Sequence, residues 1–499
     1  MASKKVRKIA VLELLCGTDT NVSLYSLFRK QFFGVACQSI SAWCRRAGHV
    51  VHYETYYGQC APDELVPSDT EVVFLSSFTE SAALAYALAK LFGQRGIRTI
   101  LGGPHAQAFP QDAARFFDVV VLRCDENLVN ECLRDDHPKG TILTSTSETF
   151  NLPLLAERRG DLDHVSLLFG RYSGIAVAPI LSSLGCPYDC NFCVDWNQQY
   201  RLRNSDDLHH DLEYASTQMR GRVLTFYDPN FGVNFDKTVG VVEQIQHPNP
   251  YVMESSLTIL KEPRLARLQS TNCMFIAPGI ESWYDYGRKT GTQAVDSSTK
   301  FTRISDQFSM MTKYVPGLQA NFMFGTEADE GDEPALLTRL FIRQFPNVFP
   351  GLAVPIPFGG TPLRDAIRQQ GRLLPLPCCY YIDPLPTFRF KHYSMTRFYK
   401  LLATIYQEAC SVRMGARRML ESLGLPIRLS YLVRTMQLRH YLKLLYRFSR
   451  LLVEDRQVAN FNNGVTDEVP LHYDNILDKR LGRYSSLLSR DDRHFLGTE

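Results

Sequence analysis

The sequence lacks a surplus of charge of either sign. Its 499 residues carry 55 lysines and arginines against 52 aspartates and glutamates, which leaves a formal net charge of +3. Binding to nucleic acid depends on clustered cations, and so small a surplus gives no reason to expect it. We therefore expect no nucleic-acid partner.

Long apolar runs are also absent. No stretch approaches the roughly 20 apolar residues that a helix needs to cross a bilayer. The basic N-terminus leads into a strand-like I-A-V-L-E-L-L, not into the apolar core of a secretion signal. The 13 cysteines are scattered, apart from one triplet and the adjacent Cys378 and Cys379, and do not form the disulfide framework of a secreted protein. We expect a cytoplasmic protein in which Cys378 and Cys379 are structural thiols.

The cysteine triplet is the most specific chemical pattern in the chain. Cys186, Cys190 and Cys193 are separated by three and then two residues, directly after an apolar run that predicts a buried strand. Three thiolates can hold three irons of a four-iron cluster, which leaves the fourth iron open to an external ligand. A zinc site is the alternative, with His209 or His210 as a fourth ligand.

The stretch G-C-P-Y-D-C-N-F-C resembles the signature of the radical S-adenosylmethionine (radical SAM) superfamily, Cys-x3-Cys-x2-Cys with an aromatic residue before the last cysteine. Phe192 matches that aromatic residue. The resemblance implies a [4Fe–4S] cluster whose open iron binds S-adenosylmethionine and whose electron cleaves it to methionine and a 5′-deoxyadenosyl radical. It also implies a small-molecule substrate and an external electron donor of the flavodoxin or ferredoxin type.

Residues 1–150 alternate short β-rich runs with helical stretches. This alternation is typical of a doubly wound parallel sheet of the Rossmann-like type. Ligands bind past the carboxyl ends of the strands in such sheets. Two of these ends carry residues that allow close approach or donate hydrogen bonds, namely Ser76, Ser77 and Thr79 at one end, and Gly102, Gly103 and Pro104 at the other.

Four stretches of this region resemble the cobalamin-binding domain that precedes many radical SAM domains: A-W-C-R-R-A-G-H-V-V, S-S-F-T, L-G-G-P-H-A and C-D-E-N. The last stretch departs from the Gly-Glu that relatives often carry, because Cys124 stands there. The resemblance implies that the six residues at the two strand ends bind cobalamin. The loop after the first strand, C-G-T-D-T-N-V-S, has no histidine, so we predict that no histidine of the protein ligates the cobalt.

A polar linker, residues 151–170, leads into residues 171–375, where six strand candidates alternate with helices; the sixth candidate spans Leu352 to Pro357. Six β/α units predict a partial TIM-type barrel with active-site groups at the carboxyl ends of its strands. The resemblance to the superfamily extends to the segments Y-D-P-N-F, G-I-E-S and P-F-G-G-T-P-L. S-adenosylmethionine would then be bound by Phe192, Tyr227, Asp228, Ser255 and Glu281. The polar residues of this set also have a structural interpretation as cap or turn residues.

Residues 376–499 are mostly helical and predict a C-terminal helical domain that completes an α/β architecture. One helix carries Arg439, Lys443, Arg447 and Arg450 on one stripe. We expect this stripe to be a solvated face, and contact with an anionic membrane is the alternative that we do not favour.

The leading functional hypothesis is a cobalamin-dependent radical SAM methyltransferase that acts on an unactivated carbon of a small molecule. Two alternatives stay open. One is a radical SAM cyclisation, rearrangement or oxidation without methyl transfer, and the other is a non-catalytic zinc-binding protein. The sequence predicts no particular substrate.

Overall fold

The computed structural model describes residues 5–18, 34–134, 137–164, 176–284, 286, 295–382, 384–422 and 428–493. The chain divides into two compact units. The first, called the N-terminal unit below, comprises Met1–Pro179, Pro375–Ile382 and Val469–Glu499. The second, the barrel unit, comprises Ile180–Leu374 and Asp383–Glu468. The segment 376–499, expected to be one helical domain, is therefore shared between the two units.

The N-terminal unit contains the doubly wound parallel sheet that the sequence predicts. Its six strands run in the order β2-β1-β3-β4-β5-β6. The strands are β1 (Lys8–Leu14), β2 (Val50–Tyr56), β3 (Val72–Ser77), β4 (Arg98–Gly102), β5 (Val119–Val121) and β6 (Thr141–Leu143). The helices that alternate with them are α1 (Val35–Arg46), α2 (Ala82–Gln94), α3 (Pro104–Ala108), α4 (Pro110–Ala114) and α5 (Glu126–Cys132). The strand order reverses between β1 and β3, so the crevice expected to bind a ligand lies at the carboxyl ends of these two strands.

Burial on both faces explains why the strands of this sheet read as continuous apolar runs. In β1 every residue after Lys8 is buried, and Val72, Val73, Phe74 and Leu75 of β3 are also buried. Parallel strands covered by helices on both sides have this composition. Strand β6 was not predicted, because its three residues are only half-buried and show no alternation.

The end of the chain belongs to the N-terminal unit, which the sequence did not predict. Helix α16 (Leu471–Leu481) buries Leu477 and Leu481, and α17 (Arg490–Arg493) follows it. Ion pairs fix this segment to the sheet domain: Arg480 Nη2 lies 2.8 Å from Glu80 Oε1, and Lys90 Nζ lies 2.5 Å from Asp492 Oδ2. Sequence patterns report local structure, so they do not reveal which distant segment a helix covers.

The barrel unit is built on a second parallel sheet of six strands, in the order β14-β13-β12-β11-β10-β7. Its strands are β7 (Val177–Ile180), β10 (Val223–Phe226), β11 (Tyr251–Ser256), β12 (Cys273–Glu281), β13 (Gly317–Met323) and β14 (Val348–Ala353), and a short antiparallel pair is formed by β8 (Ser183–Leu184) and β9 (Arg201–Leu202). The intervening helices are α6 (Ser205–Gln218), α7 (Phe235–Val242), α8 (Glu262–Ser270), α9 (Ser297–Met311), α10 (Glu333–Gln344) and α11 (Pro362–Gln369). The partial barrel of six β/α units is thus confirmed.

The predicted position of the sixth barrel strand is wrong by about four residues. We expected Leu352 to Pro357, but the strand spans Val348–Ala353. Pro350 and Gly351 look like a strand break in the sequence. Pro350 is tolerated because β14 is an edge strand, the position in a sheet where proline is normally found. Gly351 is required for space, because a Cβ there would lie 2.3 Å from Asn321 Oδ1.

Four helices complete the barrel unit: α12 (Met395–Ala409), α13 (Val412–Glu421), α14 (Arg428–Glu454) and α15 (Arg456–Asn463). The predicted stripe of Arg439, Lys443, Arg447 and Arg450 on α14 is exposed along its length. None of the helices in the described part of the chain combines the length and the apolar composition that crossing a bilayer requires.

Candidate functional site

In the crevice of the N-terminal unit, the turn after β4 lies close to the backbone at the end of β3. Gly103 has φ +91°, and a Cβ at this position would lie 2.6 Å from Ser76 Oγ and 3.2 Å from the Ser77 amide nitrogen. Only glycine fits here, which brings the predicted Gly102-Gly103-Pro104 turn against the end of β3. The Ser77 hydroxyl is buried and has no hydrogen-bond partner among the described residues. Because buried polar groups are normally paired, this hydroxyl fits a bound ligand that supplies the missing partner.

Thr79 is the third residue predicted to bind cobalamin at the end of β3. It is held in place by a buried series of hydrogen-bonded side chains. Its hydroxyl lies 3.3 Å from His105 Nδ1, and His105 Nε2 lies 2.6 Å from the Tyr86 hydroxyl. Tyr86 donates to Asp112 Oδ2 at 2.9 Å, so its oxygen is left to accept from His105. Burial lowers the pKa of His105 to about 3, which keeps the imidazole neutral. His105 is therefore a positioning residue, in keeping with a site where no histidine is expected to ligate cobalt.

Cys378 belongs to the same series of hydrogen-bonded side chains, since its thiol donates to Asp112 Oδ2 at 2.9 Å. Cys379 points elsewhere, toward the carbonyl of Arg493 at 3.6 Å. Burial raises the pKa of Cys378 well above its ordinary value, so this thiol is neutral and unreactive as a nucleophile. Both observations support the structural interpretation of the pair.

Glu13, at the carboxyl end of β1, is a buried acid that the sequence analysis did not single out. It accepts hydrogen bonds from the Gly34 N–H and, at 3.1 Å, from the Tyr53 hydroxyl. Burial raises the pKa of Glu13 to about 8. The sequence conceals this acid, because a single glutamate near the end of an apolar strand looks like a solvent-exposed residue, whereas β1 is buried on both faces.

In the barrel unit the three cysteines lie on the loop that joins β8 to β9. Cys186 and Cys190 are buried, Cys193 is half-buried, and the Cys193 N–H donates to the Cys190 carbonyl at 3.0 Å. Within the part of the chain that the structure describes, no three His, Cys, Asp or Glu side chains converge on one metal ion. A four-iron cluster takes each thiolate on a different iron, so its ligands need not converge in that way.

The cysteine loop is fixed at three points. Gly185, directly before Cys186, has φ +73°, and a Cβ there would lie 2.5 Å from the Gln199 carbonyl oxygen. Trp196 Nε1 donates to the Gly360 carbonyl at 2.7 Å. The Leu363 N–H donates to the Asn191 carbonyl at 3.0 Å. The G-G-T-P-L segment thus contacts the loop between the cysteines, as its placement after the sixth strand implies.

Asp228 connects the end of β10 to the segment that leads into the cysteine loop. Its carboxylate accepts from the Ser182 hydroxyl and the Ser183 hydroxyl, both at 2.6 Å, and from the Ser182 N–H at 3.1 Å. Burial raises its pKa although these donors oppose the shift. The acid therefore holds the backbone just before the first cysteine, and contact with S-adenosylmethionine stays a prediction.

Glu281 has a strained backbone at the end of β12. It has φ +63°, which a residue with a side chain rarely adopts, and the register between β12 and β13 shifts at this point. Its carboxylate folds back over Gly279, where a Cβ would lie 2.4 Å from Oε1. Strain of this kind clusters at functional sites, which supports the predicted role of the Gly-x-Glu-Ser segment.

A second buried acid, Asp329, was missed by the sequence analysis. It accepts from the Ser282 hydroxyl at 2.5 Å and from the N–H groups of Gly325 and Thr326, both at 2.9 Å. It therefore connects the end of β12 to the end of β13, as Asp228 does for β10 and the cysteine loop. The only sequence signal is an acid a few residues beyond a glycine turn.

The remaining predicted residues lie in the cysteine loop (Phe192) and at the carboxyl ends of β10 (Tyr227) and β11 (Ser255). Phe192 stacks on Tyr286 with ring centroids 5.3 Å apart. Ser255 is buried and its hydroxyl lies 3.5 Å from Asn230 Oδ1, and the Tyr227 N–H donates to the Ile180 carbonyl at 3.0 Å. The contact with Asn230 gives Ser255 a structural role. Its role in binding a cofactor stays a prediction.

Known proteins are similar to this chain in sequence and in fold. No protein-family model matches the chain. The chain is 26% identical over 320 residues to bacteriochlorophyllide d C-8(2)-methyltransferase of Chlorobaculum tepidum. The matched residues cover 61% of this chain and 69% of the relative. It is 23% identical over 322 residues to bacteriochlorophyllide d C-12(1)-methyltransferase of the same organism, with coverage of 62% and 69%. The solved structure of the cobalamin-dependent S-adenosylmethionine radical enzyme OxsB, with aqua-cobalamin bound, covers 97% of this chain and 84% of its own at 11% identity, with a TM-score of 0.55.

In sequence, the chain is similar to these two bacteriochlorophyllide methyltransferases, and in fold it is similar to the cobalamin-dependent S-adenosylmethionine radical enzyme OxsB. The order of a doubly wound domain before a partial barrel is therefore confirmed, and the resemblance first indicated by the cysteine spacing agrees with this similarity in fold. Which residues of this chain bind each cofactor stays a prediction, and the geometry described above gives their structural setting.

We expect the buried Glu13 to make stability depend on pH. Its pKa is about 8 in the fold against an ordinary value of 4.5, so its contribution is complete below about 4.5 and is lost as the pH rises through 8. Glu13→Gln should flatten this decline, which we expect to amount to a few kcal/mol. Thermal unfolding at pH 5 and pH 8 measures the difference. Glu148→Gln, at an exposed position, is the control, and an equal decline in wild type and Glu13→Gln would contradict the assignment.

Gly185→Ala should disturb the cysteine loop specifically. The added methyl would meet a backbone carbonyl at a positive φ, a combination that costs about 2 kcal/mol or more. We expect a lower melting temperature and less iron per chain after anaerobic reconstitution. Gly240→Ala, in α7 with no atom near its Cβ position, is the matched control and should be neutral or stabilising. Full iron content in Gly185→Ala would show that the loop geometry is not required.

Proposed function

We propose that the chain is a cobalamin-dependent radical SAM methyltransferase that acts on an unactivated carbon of a small molecule. The observation that carries the proposal is the cysteine loop, where three thiols follow a glycine-constrained turn anchored by a buried acid. The two relatives described above are methyltransferases by name, and this supports methyl transfer over other radical reactions.

The donors in the barrel unit fit an iron–sulfur cluster in their chemistry. Cys186, Cys190 and Cys193 would hold three irons, and the loop supplies no fourth thiol. When bound, the cluster and S-adenosylmethionine would supply the radical that activates an inert C–H bond, and cobalamin would carry the methyl group. Phe192, stacked on Tyr286, would cover the site from water.

The residues of the N-terminal unit fit a large planar cofactor held by backbone contacts. Ser77 offers an unpaired buried hydroxyl, and Gly103 allows the ligand to approach the main chain. Thr79 would be oriented by His105, whose neutral ring has both nitrogens engaged within the unit. These residues would bind and orient cobalamin without ligating its metal.

The proposal includes an external electron donor of the flavodoxin or ferredoxin type and a reducing cytoplasmic location. An iron–sulfur cluster of this kind needs one electron per cleavage, and its thiolates persist only where oxidants are scarce. Membrane contact through the exposed basic stripe of α14 is not part of the proposal.

The first test is anaerobic reconstitution with iron and sulfide, followed by an assay for 5′-deoxyadenosine with a chemical reductant. We expect about four irons per chain and 5′-deoxyadenosine formation from S-adenosylmethionine. Replacing Cys186, Cys190 and Cys193 together with alanine should remove both, and Cys410→Ala, a buried cysteine elsewhere in the barrel unit, should remove neither. Zinc in place of iron would support the non-catalytic alternative. Label transferred from methyl-labelled S-adenosylmethionine into product would separate methylation from other radical reactions.

The second test concerns cobalamin. Hydroxocobalamin should co-elute with the wild type, with an absorption spectrum that shows no histidine ligand. Gly103→Val should weaken its retention by about tenfold or more, because the side chain occupies the approach to Ser76 and Ser77. Iron content serves as the internal control and should stay unchanged. Equal retention by both proteins would remove this turn from the proposed site.

A further inference from the structure

The inner face of the barrel sheet can be identified from its packing. On β13, Phe322 packs against Trp283 and Phe341 with ring centroids 5.6 and 5.4 Å apart, and Phe341 belongs to the covering helix α10. Successive side chains of a strand point to opposite faces. Gln319 and Asn321 therefore point away from the covering helices, toward the interior of the barrel.

Arg434 reaches this inner face from helix α14. Its guanidinium donates a hydrogen bond to Gln319 Oε1 and lies 3.8 Å from the ring centroid of Phe349 and 5.9 Å from that of Phe275. Phe349 is the register partner of Gln319 on β14, so it belongs to the same face. The side chain of Arg434 is half-buried. The sequence placed this arginine on a helix with many other cations and gave no sign that it turns inward.

No carboxylate among the described residues forms an ion pair with Arg434. The neighbouring charge is another arginine, Arg418, whose guanidinium lies 5.4 Å from the same Phe349 ring. Arg418 is bonded to the carbonyls of Pro346 and Ala409 and to the Thr435 hydroxyl. Burial lowers the pKa of Arg434 to about 10, which leaves it charged at neutral pH. A half-enclosed cation without a counterion is costly unless an anion joins it.

The inner face is partly open to solvent: Gln319 and Phe349 beside Arg434 are buried, whereas Phe275 and Asn321 are half-buried. On β11, Tyr251 contacts Thr271 next to α8 through its hydroxyl at 2.8 Å, so Tyr251 points outward and Glu254, three residues on, points inward. Glu254 is exposed and forms no ion pair within the described chain. Solvent therefore reaches part of the inner face, to which the half-buried side chain of Arg434 also belongs.

We propose that Arg434 binds a carboxylate of the substrate, with the Phe349 ring as an apolar surface beside it. The guanidinium has N–H donors beyond the one given to Gln319, and its planar shape matches a carboxylate in two-point contact. This inference rests on the proposed function: Gln319 and Phe349 lie near the amino ends of β13 and β14, so a substrate held by Arg434 would extend through the barrel interior toward the carboxyl ends of the strands, where the cysteine loop lies. The substrate class is then a small organic acid with an apolar part next to the acid group.

Binding of benzoate and of benzamide to the full-length reconstituted protein tests the inference. The two probes have the same ring and differ in charge. Wild type should bind benzoate about tenfold or more tightly than benzamide, as a charge-assisted contact implies. Arg434→Gln should reduce the preference to less than about twofold, and Arg434→Lys should keep part of it. Arg447→Gln, at an exposed position on the same helix, should leave the preference intact.

Iron content and 5′-deoxyadenosine formation, measured on the same preparations, separate this inference from the proposed function. Wild type that forms 5′-deoxyadenosine but binds both probes equally, or binds neither, overturns the carboxylate site and leaves the function standing. An Arg434-dependent preference without 5′-deoxyadenosine supports the site and overturns the function. A lower melting temperature of Arg434→Gln with an unchanged benzoate preference would assign Arg434 to packing alone and overturn the inference.

Discussion

Buried carboxylates that join neighbouring strand ends are the constraint on which the barrel site depends. Asp228 holds the segment before the cysteine loop through three hydrogen bonds, and Asp329 joins the ends of β12 and β13 through three more. Strand ends in a partial barrel have no closed ring of neighbours to position them. Each acid replaces part of that missing support, and its burial is tolerated because several donors share the charge.

The predicted cofactor sites of the two units each depart from local rules of conformation in specific places. Glu281 adopts a positive φ, and Gly185 and Gly103 occupy positions where any side chain would meet backbone or a hydroxyl. Such departures are expected where function, not stability, determines the conformation. They lie beside the cysteine loop, at the end of β12 and in the crevice of the N-terminal unit, which are the places where the sequence resembles cofactor-binding segments.

Much of the architecture could be predicted because it follows from local pattern. Buried parallel strands read as apolar runs, and the cysteine spacing is specific in itself. The bounds of strand β14 were misplaced for a different reason. Pro350 is acceptable because the strand lies at a sheet edge, and edge position is a property of the whole sheet. Strand β6 was missed because three half-buried residues carry no period.

The residues that sequence reasoning missed are those whose role depends on partners far along the chain. Asp329 looks like an ordinary turn acid until Ser282 is placed beside it. Arg434 looks like one cation of a basic helix until Gln319 and Phe349 are seen beneath it. The final helices carry no mark that they cover the N-terminal unit. Periodicity reports which face of an element is apolar, but not what that face meets.

The central claim is that three thiolates hold a cluster with one iron open to S-adenosylmethionine. Electron paramagnetic resonance of the reduced, anaerobically reconstituted protein tests it most directly. The account predicts a [4Fe–4S] signal that changes in g-values when S-adenosylmethionine is added, because the open iron gains a ligand. A cluster signal that S-adenosylmethionine leaves unchanged, or a protein that binds zinc and gives no iron signal, would contradict it.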